Sequence, residues 1–145
     1  MRYRLYFTVA ILLLCNPLIS HAEERYLCVC EHAVGFEYNS SSKSWENAFF
    51  KTDSKYIISK SKDKAYAFQV SLIGRDYVWF GCKEGFDDSG FLRCETEHWG
   101  QFKFNKKNGR FLRVFPFGYY YVIPGFVTDE MSDTPFIEIG VCSPF

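Results

Sequence analysis

AYAFQVSLIGRDYVWFGC, residues 65–82, alternates before it turns. Tyr66, Phe68, Val70 and Leu72 fall on one side of an extended chain and Ala67, Gln69 and Ser71 on the other, which is the period of a half-buried β-strand. Gly74-Arg75-Asp76 has the chemistry of a turn, and YVWFGC (77–82) returns as a second strand. The row from Tyr66 to Leu72 is therefore expected to face a core. Next come a Gly- and Asp-rich loop, KEGFDDSG (83–90), and a further strand, FLRCE (91–95). A hairpin centred on Asp88 sets Cys82 opposite Cys94, where cross-strand Cβ atoms lie about 4.5–5.5 Å apart and a small adjustment reaches disulfide geometry.

Asn108-Gly109 marks another hairpin, because both central positions of a tight turn need positive φ. Pairing Lys107 with Arg110, or slipping that register by two, collects Phe102, Phe104, Phe111 and Phe115 on one face. The other face then carries Lys103, Asn105, Leu112 and Val114. KYIIS (55–59), YYYVI (119–123) and FIEIGV (136–141) complete a set of eight or nine short strands, and KSWENAFF (43–50) alone has the character of a short helix. Few connections are long enough to hold a crossover helix, so parallel pairing is disfavoured. The expected fold is all-β, a single antiparallel β-barrel or closed sandwich stapled by disulfides.

At the N-terminus, Arg2 and Arg4 precede an apolar run from Leu5 to Leu14, and Ser20-His21-Ala22 resembles a signal-peptidase site. Residues 1–22 read as a secretory signal peptide and 23–145 as one exported domain, periplasmic or secreted. The run is too short to cross a bilayer, and no later segment approaches the required length, so no stable membrane insertion is expected after cleavage. LLLC, ending at Cys15, superficially resembles a lipid-attachment box, but Leu14 stands where a small residue is normal. The 17 basic residues equal the 17 acidic ones. Loss of Arg2 and Arg4 leaves a slight acidic excess, which excludes the electrostatic footprint of nucleic-acid binding. Aromatic residues make up 20% of the chain, enough to fill a small core with rings.

Five cysteines remain after the leader: Cys28, Cys30, Cys82, Cys94 and Cys142. Export exposes them to an oxidising compartment, so two disulfides and one thiol are expected. In YLCVCEHAVGF (26–36), Cys28, Cys30 and His32 would share one face of a strand, a row with thiolate and imidazole ligands suited to zinc or copper. A structural zinc site wants four protein ligands, however, and the oxidising compartment competes for the thiols. The favoured reading is that Cys28 or Cys30 bonds Cys142 and ties the first strand to the last. No metal or other cofactor is then expected.

Other chemistry is weaker. Glu95 and Glu97 share a strand face but read as a solvated pair rather than a glycosidase dyad. His98, beside Trp99, has no evident nucleophile partner; FDDSG (86–90) lacks the remaining ligands of a calcium loop; nucleophile-elbow, zinc-protease and phosphate-loop motifs are absent from the sequence. Asn39-Ser40-Ser41 fits a glycosylation site. A non-enzymatic binding protein is the expectation. Its candidate surface lies within FPFGYYYVIPGF (115–126), because Tyr119, Tyr120 and Tyr121 cannot all point inward from a strand. An envelope protein or a glycan is the expected partner.

Cys28, Gly35-Phe36, Trp45, Lys55–Ile58, Cys82, Cys94, Phe104-Asn105, Arg110-Phe111 and DTPFIEIGVCSP (133–144) together give the chain a layout that resembles small exported proteobacterial proteins. That resemblance implies no activity, but it implies a Cys28–Cys142 bond with Cys30 free, since the position of Cys30 is often not cysteine in that group. In architecture the chain is also similar to periplasmic inhibitors of C-type lysozyme, small disulfide-bearing β-barrels. Ser89-Gly90 matches their inhibitory Ser-Gly pair, while Leu92 stands where they carry tyrosine. Inhibition of an envelope hydrolase and a metal- or thiol-dependent role for Cys28, Cys30 and His32 are thus the alternative functions.

Overall fold

The computed structural model describes residues 24–96 and 98–145. The leader assigned to residues 1–22 lies outside the described residues. Among the described residues nine strands follow in order: β1 Tyr26–Asn39, β2 Ser44–Phe49, β3 Lys55–Lys60, β4 Phe68–Leu72, β5 Val78–Cys82, β6 Phe91–Thr96, β7 Gly100–Asn105, β8 Arg110–Phe115 and β9 Phe136–Pro144. Eight of them close an antiparallel barrel in the order β1-β3-β4-β5-β6-β7-β8-β9, with β9 returning to β1. Strand β1 is long enough to serve two neighbours on one side, pairing with β3 from Tyr26 to Val29 and with β2 from Val34 to Asn39. The β1–β2 hairpin therefore continues past the barrel end as a ribbon.

Alternation builds the interior. Phe68, Val70, Phe80, Leu92, Phe102, Phe104 and Phe111 are all buried, with Tyr56 and Ile58 from β3. The Phe102 and Phe111 rings stack at 5.1 Å, and Tyr56 meets both edge-on. In the β7–β8 hairpin Asn105 opposes Arg110 and Phe104 opposes Phe111, the register slipped by two from Lys107 opposite Arg110. Gly109 takes φ +70° in that turn, and the Asn108 side chain accepts the Arg110 N–H.

Two disulfides cross the sheet. Gly81 pairs with Glu95, so Cys82 stands opposite and is bonded to Cys94; Cys28 stands opposite Cys142 and is bonded to it. The choice between Cys28 and Cys30 thus falls on Cys28, and Cys30 is buried with a free thiol.

Three local expectations are corrected. KSWENAFF is not helical, because residues 44–49 form β2, which satisfies the backbone of β1 beyond β3 and lays Trp45 against Tyr38. YYYVI is not a strand, since Tyr119–Tyr121 is a 3-10 turn entered through Gly118 at φ 122°. Tyr66 does not face the core with Phe68 and Val70. It precedes β4, is 36% exposed and packs its ring against Gly81.

Strands β8 and β9 orient against simple hydropathy. Arg113 and Glu138 are buried at 4% exposure each, whereas Ile137, Ile139 and Val141 face outward at 42–45%. Cys142 must look inward to reach Cys28, and side chains four residues apart in a strand share a face, so Glu138 is drawn inside. Arg113 joins it because Arg113 and Glu138 are cross-strand partners.

Candidate functional site

The twenty residues from Pro116 to Pro135 join β8 to β9 as a folded loop rather than a loose one. Two 3-10 turns, Tyr119–Tyr121 and Asp129–Met131, flank a bridge between Ile123 and Val127. Gly118 passes so close to the Asp133 carbonyl that a Cβ would meet its oxygen at 1.9 Å, which closes the base of the loop. Trp45 of β2 holds the far side: its indole N–H donates to Asp129 Oδ1 at 2.7 Å, and its ring meets Tyr119 edge-on at 5.6 Å.

That clamp separates the roles of the three tyrosines. Tyr119 is the contact to Trp45, while Tyr120 and Tyr121 meet each other edge-on at 6.1 Å. All three are more than half exposed, and none lies in a strand. Phe126 at 80% and Met131 at 70% are exposed on the same loop. Phe126 closes the 115–126 stretch expected to carry the surface, presented by the Pro124-Gly125 turn, whereas Met131 lies beyond that stretch. Loops of this length in small domains are usually functional, and tyrosine, phenylalanine and methionine are enriched in interface cores.

The Cys28, Cys30 and His32 row is interrupted. Cys28 is spent in its disulfide, and β1 bulges between Cys30 and His32, so Cys30 opposes Gly140 while His32 opposes Ile139. The extra residue, Glu31, breaks the alternation; Ala33 faces inward and His32 is exposed. The three side chains therefore do not share a face. Among the described residues no group of three His, Cys, Asp or Glu side chains is placed to hold a metal ion. Burial, reinforced by the Glu138 carboxylate, pushes the Cys30 thiol up to about 11, which leaves it protonated and weakly nucleophilic near neutral pH.

Inside the barrel, Arg113 Nη1 donates to Tyr56 Oη at 2.9 Å and to Glu138 Oε2 at 3.2 Å. Tyr56 donates a short hydrogen bond to Glu138 Oε2, and Ser54 Oγ donates to Glu138 Oε1 at 3.0 Å. The guanidinium lies 4.7 Å from the Trp79 ring centroid and 4.8 Å from that of Phe136. Trp79 reaches it because β5 bulges against β4 between Val78 and Phe80. Desolvation raises the Tyr56 hydroxyl further still above its ordinary range. Sealed from solvent, this cluster organises the barrel interior; its inward parity with Cys142 is the signal that would have found Glu138.

The remaining candidates are dispersed. Glu95 lines an outer cleft of about 480 Å³ with Lys83, Arg93 and Asp87, while Glu97 lies outside the described residues. Trp99, beside His98, stacks on Trp79 at 5.0 Å. Leu92 is fully buried, so the position where a lysozyme inhibitor would carry tyrosine points into the core. Asn39 uses its side chain to cap the turn, accepting the Ser41 N–H at 2.9 Å. No family model, curated protein or solved structure matches the chain.

Proposed function

We propose that the protein is an exported, non-enzymatic binding module that works in the periplasm or outside the cell. In this reading it grips an envelope protein or glycan through the 116–135 loop. The observation that carries the proposal is the Trp45 clamp: it holds Tyr119 by its edge and Asp129 by a hydrogen bond, so Tyr120, Tyr121 and Phe126 are displayed on an ordered base. Ordering the loop before contact lowers the entropy lost on binding, and aromatic anchors contribute most of the energy in interfaces of this type. The two disulfides are compatible with an oxidising extracytoplasmic setting.

The test compares immobilised wild type with a Tyr120→Ser/Tyr121→Ser/Phe126→Ser variant in envelope extract, with bound proteins and glycans identified by mass spectrometry. Partners should be retained by wild type and lost by the variant, whose near-UV circular dichroism outside the tyrosine band should be unchanged. Identical partner lists would remove the loop as the contact surface.

A further inference from the structure

We propose that the outer face of β8, β9, β1 and β2 is a self-association surface on which two copies of the chain pack face to face and antiparallel. The register lays this face out in rows. In the upper row Val114, Ile137, Val34 and Phe49 are successive cross-strand partners. The middle row joins Leu112 to Ile139 and His32, and the lower row joins Val141 to Val29. Ile137, Ile139, Val141 and Val34 are each 42–45% exposed, Phe36 50% and Phe49 88%. Together they expose on the order of 600 Å² of apolar surface, the upper end for a monomer, and a pair of such faces would bury about the 1,200 Å² at which stable interfaces begin. The wall is not uniformly convex: a groove of about 480 Å³ runs between Phe36 and Phe49 on one side and Val114 and Pro116 on the other.

Charge identifies the occupant as a second copy. The lower end of the face is cationic, because Lys55 pairs with Val29 and Arg110 with Val141, on the outward parity of their strands. Upward along β1, Val34, Phe36 and Tyr38 share one side, and Tyr38 is paired with Trp45. There the loop crosses the face and brings Asp129 against Trp45, followed by Glu130. Lys55 and Arg110 thus stand at one end of the apolar strip and Asp129 and Glu130 at the other, roughly 25–30 Å apart along the strand, with Glu31 exposed in the β1 bulge above the lower row and Lys43 in the β1–β2 turn beyond Tyr38. Inverting a second copy about a two-fold axis lays each acidic end over the other's cationic end, which makes the face its own complement. This pairing would also place the two 116–135 loops at opposite ends of the dimer.

Sedimentation equilibrium of the oxidised chain from residue 23 to 145 tests the proposal. Wild type should reach twice the chain mass as concentration rises, and Ile139→Lys should remain monomeric with both disulfides intact. A Lys55→Glu/Arg110→Glu variant should weaken the dimer by about tenfold or more, and adding Glu130→Lys should recover part of that loss. A wild type that stays monomeric at every soluble concentration overturns the proposal, as does a dimer indifferent to Ile139→Lys. Failure of Glu130→Lys to rescue the charge variant overturns the antiparallel arrangement. A monomer that binds anionic phospholipid vesicles, and loses that binding with Ile139→Lys, would assign the face to a membrane instead.

Discussion

Arg113 and Glu138 enclose opposite charges in a barrel otherwise filled with rings. Each is desolvated, so each depends on the other and on Tyr56. Removing one partner strands the second; Arg113→Met or Glu138→Gln should each cost about 3–5 kcal/mol in urea unfolding. The triple change Arg113→Met/Glu138→Leu/Tyr56→Phe should recover most of that loss, since apolar residues of similar volume replace the buried pair at little net cost and no buried hydroxyl is left without a partner. Cys30 presents a related case. In the chain from residue 23 to 145, a native thiol titration should find almost no reactive sulfur near neutral pH, and one thiol, that of Cys30, should appear after denaturation without reductant. Burial, ahead of the bond to Glu24, also pushes the Tyr26 hydroxyl up to about 12. Both groups hold their protons more tightly when folded, so the stability they supply is fully present below about pH 9 and is lost as pH rises toward 12. Urea midpoints measured across that window should fall, and Tyr26→Phe should flatten the decline.

At the scale of elements, β2 and the 116–135 loop depend on one another. Trp45→Phe deletes the indole N–H to Asp129 and should cost the barrel only about 1 kcal/mol, yet hydrogen exchange across residues 119–131 should accelerate clearly. Gly140 bears on the barrel seam instead. A Cβ there would meet the Val29 carbonyl oxygen at 2.1 Å and the Phe111 ring at 2.7 Å, so Gly140→Ala should destabilise by about 1–3 kcal/mol or more in the same urea assay. Elements with strict alternation and a clear turn were legible from sequence: β4, β5, β6 and the β7–β8 hairpin are where their patterns put them. KSWENAFF misleads because its period serves either element, and only the unpaired half of β1 makes it a strand. YYYVI has the composition of a strand, but Gly118 and the close pass to Asp133 turn it into a loop wall. The tyrosines were thus legible as surface residues, whereas their rigid mounting on Trp45, 74 positions earlier in sequence than Tyr119, was not.

Across the whole molecule, the two disulfides do unequal work. Cys28–Cys142 spans 114 residues and joins the strands that close the barrel, while Cys82–Cys94 spans 12 within one hairpin. In the chain-entropy account the long bridge contributes about 4–5 kcal/mol and the short one about 3. Cys28→Ala/Cys142→Ala should therefore lower the urea midpoint more than Cys82→Ala/Cys94→Ala, each measured on the purified oxidised protein. Alternation, turn residues and cysteine positions were enough by themselves to determine an all-β chain, its approximate strand count and the Cys82–Cys94 hairpin, because those signals act between near neighbours. The inward pair Arg113–Glu138, the outward Ile137, Ile139 and Val141, and the break between Cys30 and His32 were decided only by the tertiary structure. On β9 both faces carry residues that a core can accept under some condition, so burial there follows from what lies opposite: Cys28 draws Cys142 inward, and that one bond sets the facing of every residue along the strand.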